Sequence, residues 1–144
     1  MLKKSIFIFS FVLFLAVSNF AQTVTTPEKG SAERTAILNA LRVPVEKELK
    51  QKIQFAVENF NVQGNWAFLD GASQTMTGGE PNFKNTQYQG RIDVDAFDNN
   101  IFALLKKTAG KWKVVTYQIG CTDVCYLPWV KDYKAPKAIF PNVE

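Results

Sequence analysis

The 144-residue chain contains no histidine. Ser-His-Asp and Cys-His nucleophilic systems therefore lack the base that takes the nucleophile's proton, and zinc hydrolases that rely on imidazole lose their ligands. Acid–base chemistry is left to carboxylates, lysine and tyrosine, with Asp93, Asp95, Asp123 and Tyr126 as the first candidates. Cysteine is scarce as well, at two residues, Cys121 and Cys125. Neither a catalytic residue, a metal site nor a cofactor is expected. Net charge is also small. Of the formal +4, Lys3 and Lys4 supply two, so the chain beyond them carries 4 − 2 = +2, and a nucleic-acid partner is not expected.

Those two lysines precede an apolar run from Ile6 to Val17 that gives way to Ser18-Asn19 and then QTVTTPEKGS. A basic start, a short apolar stretch and a small residue at the cut define a secretory signal peptide. A retained anchor needs about 20 apolar residues. Residues 1–21 are read as the signal, cut after Ala21 with Ser18 as the fallback, and no membrane span is expected after cleavage. The expected location is the periplasm or the medium. The remaining 123 residues (144 − 21) suffice for one domain.

Residues 22–30 are polar, with Pro27 and Gly30, and read as a flexible leader ahead of a domain at 31–144. Ser31 is placed to cap a helix with Glu33 in its first turn, and Ile37, Leu38, Leu41 and Val45 recur at helical spacing. Pro44 predicts an end near Arg42, or a kink there and a short turn through Leu49. From Lys52 the period becomes two: Ile53, Phe55 and Val57 alternate with Gln54, Ala56 and Glu58. Gly64-Asn65 turns the chain into WAFL, and Asp70-Gly71 closes that strand. RIDVDAF and IFALLKK flank Asp98-Asn99-Asn100, and Thr108-Ala109-Gly110 leads into WKVVTYQIG, so two further hairpins are expected. The fold class is α+β: one N-terminal helix packed on a curved antiparallel sheet of about five strands. Residues 71–90 form a long turn-rich loop, functional or disordered, which Met76, Phe83 and Tyr88 would pin to the body.

RTAILNALRVPVEKEL, VENFNVQGNWAFLDG and FALLKKTAGKWKVVTYQIGCTDV together resemble a group of small exported bacterial proteins of unassigned function. The helix-then-sheet order resembles cystatin-like and NTF2-like folds, the cystatin-like version more closely because little helix precedes the sheet. The resemblance implies a curved sheet around one helix and brings no catalytic residues.

Several motifs carry a bland reading beside a sharper one. Asp93-Val94-Asp95-Ala96-Phe97-Asp98 opens like a calcium loop, yet Phe97 and Asp98 stand where an oxygen ligand and glycine belong; the plain alternative is a strand with solvated aspartates. Lys106, Lys107, Lys111 and Lys113 around Trp112 suit phosphate or an acidic glycan or headgroup, or else a solvated hairpin end with Trp112 in the core. Trp66, Phe68, Phe102, Trp112 and Tyr117 fill the space between sheet and helix or line a pocket there. The candidate binding residues are Trp66, Phe83, Tyr88, Asp123 and Tyr126.

In GCTDVCY, export favours a Cys121–Cys125 disulfide. Four residues of extended strand would hold the Cα atoms about 13 Å apart, so a bridge requires a turn at Thr122-Asp123. Free thiols, a redox pair and a metal clip remain the other readings. The functional expectation is an exported, non-enzymatic binding or accessory domain of the envelope, with its ligand and oligomeric state open. The alternative is a carboxylate-dependent isomerase or hydrolase in an NTF2-like pocket.

Overall fold

The computed structural model describes residues 22–143; the expected signal segment, 1–21, lies outside the described residues. Ser31 caps helix α1 (Ala32–Leu49), its hydroxyl accepting the Arg34 amide at 3.2 Å. Ile37, Leu41, Val45 and Leu49 form the buried stripe, and Lys50 closes the helix in the left-handed conformation, φ 54°. Contrary to the end or kink expected from Pro44, the helix continues through it to Leu49. An internal proline costs about 3 kcal/mol. Full burial of Val45 and Leu49 beyond it contributes about 1.5–3 kcal/mol each and outweighs that cost.

Four strands follow: β1 (Ile53–Gln63), β2 (Trp66–Thr75), β3 (Ile101–Thr108) and β4 (Lys111–Ile119). They form one antiparallel sheet in the order β1-β2-β3-β4. The molecule is α+β, and the fifth expected strand is absent among the described residues. RIDVDAF instead runs from a short helix, α2 (Gln89–Ile92), into turns, with Asp95 at φ 55°. Both sides of β3 are already occupied, by β2 through Gly71↔Ile101 and by β4 through Ile101↔Ile119. No position beside β3 is left for residues 91–97 to form a local hairpin.

Strand β2 also runs four residues past the expected closure at Gly71, to Thr75. Gly71 meets β1 so closely that a Cβ there would lie 2.0 Å from the Ala56 carbonyl oxygen. The leader is partly tied down: Thr25 and Val62 exchange two backbone hydrogen bonds of 2.8 Å, and Pro27 is buried. Met76, expected to pin the following segment, is 62% exposed. Phe83 and Tyr88 do the pinning.

Two bulges decide which side chains meet. In β1 the register shifts between Val57 and Asn59, leaving Glu58 as the extra residue. Ile53, Phe55 and Val57 face α1 before it; Phe60 and Val62 do so after it. A second shift opposite Leu104/Leu105 makes Val115 the extra residue of β4.

The opposite face of the sheet is covered by the chain after β4, which includes helix α3 (Trp129–Tyr133) and a 3-10 turn (Lys137–Ile139). Phe68, Leu104, Tyr126, Trp129, Ile139 and Phe140 form this second core, with Trp66 and Phe102 packed against it. Of the strand aromatics expected between sheet and helix, Trp112 and Tyr117 lie there. Trp66, Phe68 and Phe102 lie on the other face, because the C-terminal segment supplies a second apolar surface.

Candidate functional sites on the two sheet faces

Cys121 and Cys125 are bonded, with Cα atoms 6.3 Å apart, inside the range a bridge tolerates. The required turn is present: the Cys125 amide donates to the Asp123 carbonyl at 2.9 Å. Asp123 Oδ1 accepts the Val124 amide at 2.7 Å. Asp123 is therefore a turn residue on the surface, spent on its own backbone.

The five candidate binding residues do not converge. Phe83 and Tyr88 share the helix face, where they pack with Phe97 at ring separations of 6.0 Å (Phe83–Tyr88), 4.7 Å (Phe83–Phe97) and 5.3 Å (Tyr88–Phe97). Trp66 lies on the other face under Lys106, whose Nζ sits 4.6 Å from its ring. Tyr126 is buried there between Phe68 and Phe102, at 4.9 and 5.0 Å, and donates its hydroxyl to the Pro141 carbonyl at 2.9 Å. The basic hairpin is less free than its charge suggests. Trp112 is buried, and Lys107 lies over its ring at 5.6 Å and 3.6 Å from Glu33.

On the helix face the focus is Glu48, which the sequence reading passed over. It lies seven residues after Leu41 and three after Val45, on the border of the buried stripe, and that spacing was the available signal. Its Oε1 accepts the Tyr88 hydroxyl and the Gln87 amide, the latter at 2.5 Å; its Oε2 accepts the Tyr117 hydroxyl. Burial, reinforced by the bond to Glu48 and its charge, pushes both phenols well above their ordinary pKa. They are held as donors and do not serve as bases. Arg91 joins the neighbouring turn to the end of β4 by donating to Ala96 O at 3.1 Å and to Gly120 O. Glu48 and Gln87 line two adjoining clefts of about 630 and 450 Å³, the first flanked by Lys50 and Lys84, the second by Arg91 and Gln118.

On the opposite face Asp70, expected to sit in a strand-closing turn, is 7% exposed within β2. The bulge at Glu58 explains its partner. Asn59 gives Asp70 its backbone amide at 3.1 Å and its side-chain amide at 2.9 and 3.0 Å. A cleft of about 340 Å³ opens there, with Glu58, Asp70, Asn99, Asn100, Phe102 and Tyr126 in its wall.

The remaining acid–base candidates are dispersed. Asp93 Oδ1 accepts the Gln89 amide at 2.7 Å on the surface, and Asp95 is exposed. Among the described residues no three Cys, Asp or Glu side chains are grouped to hold a metal ion, and no helix is long and apolar enough to cross a membrane. No family model matches the chain, and no curated protein or solved structure matches it.

Proposed function

We propose that the chain is an exported, non-catalytic binding or accessory domain of the cell envelope. On this reading its helix-on-sheet architecture is a cystatin-like or NTF2-like variant, and it takes its ligand along the helix-face clefts around Glu48. The carrying observation is the state of that carboxylate. Three donors occupy it, two of them phenols that keep their protons, so this carboxylate is a positioning group and not a free base. The disulfide fits an oxidising compartment. The clefts are polar and open, with lysines and arginine at their edges, which suits recognition of a polar or anionic surface group.

The enzyme alternative draws on Asp70, a buried carboxylate. Its setting is amide-rich and both its oxygens are bonded to Asn59, so the carboxylate is engaged by the protein itself. The test is affinity capture with residues 22–144 from the native envelope extract, run beside a Lys84→Ala/Gln87→Ala variant. A component retained by the parent and lost by the variant is the expected result. Identical capture by both, or catalytic turnover abolished by Asp70→Asn, overturns the proposal.

A further inference from the structure

The Asp70 cleft has a chemistry of its own, separate from the helix-face reading. Its charged wall residues are Glu58 and Asp70, and neither lysine nor arginine lines it. Asp70 is buried and takes part in neither of the two salt bridges among the described residues. Its charge is balanced only by neutral donors from Asn59. Buried carboxylates are ordinarily compensated by a cation, and here the chain supplies none.

The hydrogen-bond inventory points the same way. Four of the wall's side-chain donors are directed at protein acceptors: Asn59 to Asp70, Asn99 to the Ser73 carbonyl at 3.3 Å, Asn100 to the Cys121 carbonyl, and Tyr126 to the Pro141 carbonyl; Asn142 also lines the cleft. Asn99 Oδ1 and Asn100 Oδ1 are solvent-inaccessible and without a protein partner, and the accessible acceptor at the wall is the exposed Glu58 carboxylate, which takes part in no salt bridge among the described residues. An anionic cleft selects a ligand that donates N–H bonds and carries positive charge. The half-buried ring of Phe102 forms an adjoining wall, a surface that attracts organic cations. A volume of about 340 Å³ admits a small group.

We propose that this cleft binds an organic primary ammonium group, whether of a free amine or of an exposed lysine or N-terminus on a peptide. The protein-side determinants are the Asp70 carboxylate, the Glu58 carboxylate and the Phe102 ring. The Cys121–Cys125 turn frames the cleft through Val124. Closing that ring holds Val124 and Tyr126 in place against the sheet.

The experiment is calorimetric titration of residues 22–144 with n-propylammonium, tetramethylammonium, glucose and calcium chloride, with amide chemical shifts to locate binding. Propylammonium should bind with a dissociation constant on the order of millimolar and shift residues 58–59, 70–72 and 99–102. Tetramethylammonium, which has no N–H, should bind about tenfold more weakly. Asp70→Asn should weaken propylammonium at least about tenfold; if that variant does not fold, Glu58→Gln decides, with a weakening of about threefold expected for an exposed charge. A lysine-bearing peptide that competes with propylammonium assigns the source to a peptide, and one that does not assigns it to a free amine. Calcium or glucose binding there without propylammonium, equal affinity for the two ammonium ions, or unchanged affinity in the folded variant overturns the proposal.

Discussion

Replacing Glu48 tests the reasoning about the helix face most directly. In Glu48→Ala the Tyr88 and Tyr117 hydroxyls and the Gln87 amide lose their shared acceptor. A hydrogen bond to a charged group is worth about 1.5–3 kcal/mol, and solvent entering the cleft recovers part of that. The phenol of Tyr88 is 8% exposed, so it benefits least. The expected loss is about 2–3 kcal/mol, or about 8–12 °C in melting temperature for a domain of this size. Glu48→Gln keeps the shape and one acceptor and should lose about half as much.

The alkaline limb adds an independent reading. Both phenols have their pKa raised in the folded state, so their contribution is fully present below the unfolded tyrosine value of about 10 and is lost as pH rises through the folded values. Parent stability should fall above about pH 10. Glu48→Gln should flatten that fall, because the charge opposing ionisation is gone. Denaturant melts across pH, together with tyrosinate absorbance, provide the measurement. Four tyrosines titrating together at the ordinary value in the native protein, or an unchanged alkaline limb in Glu48→Gln, would refute the argument.

Gly120 holds φ 79°, and a Cβ there would lie 2.1 Å from the Phe97 ring, so Gly120→Ala should cost about 2–4 kcal/mol by chemical melt; a loss under about 1 kcal/mol rejects the close approach. Serine at both Cys121 and Cys125 should cost about 2–3 kcal/mol, about 2 from opening the small ring and the rest from a hydroxyl at the 1%-exposed position 121. Thiol titration of unreduced, denatured parent should find no free sulfhydryl, and two reactive thiols or a reducible dimer would reject the bridge. Ile139→Ala empties a fully buried position of the second core and should cost about 2–4 kcal/mol, with a near-neutral result showing that the C-terminal segment is not part of the cooperative unit. Amide exchange should be slow at 101–105 and fast at 76–80; protection across 76–80 would mean that this exposed turn is held by contacts the fold does not show.

The sequence by itself determined the helix and its cap, because Ser31 and the four-residue spacing of Ile37, Leu41 and Val45 are local facts. It also determined the hairpin turns at Gly64-Asn65 and Ala109-Gly110, where Gly64 and Gly110 suit the left-handed backbone, and the need for a turn between the two cysteines. Tertiary structure decided the rest for three physical reasons. Pairing of β3 on both sides turned RIDVDAF from a strand into a helix and turns. Burial on both sheet faces erased the alternation that would have sorted Trp66, Phe68 and Phe102 from Ala67 and Leu69, and the bulge at Glu58 reversed the facing within β1. The two carboxylates that organise the clefts, Glu48 and Asp70, acquire their roles from partners up to 69 residues away in the chain. Local spacing carries no record of such a partner, since only the closed sheet brings Tyr117 to Glu48.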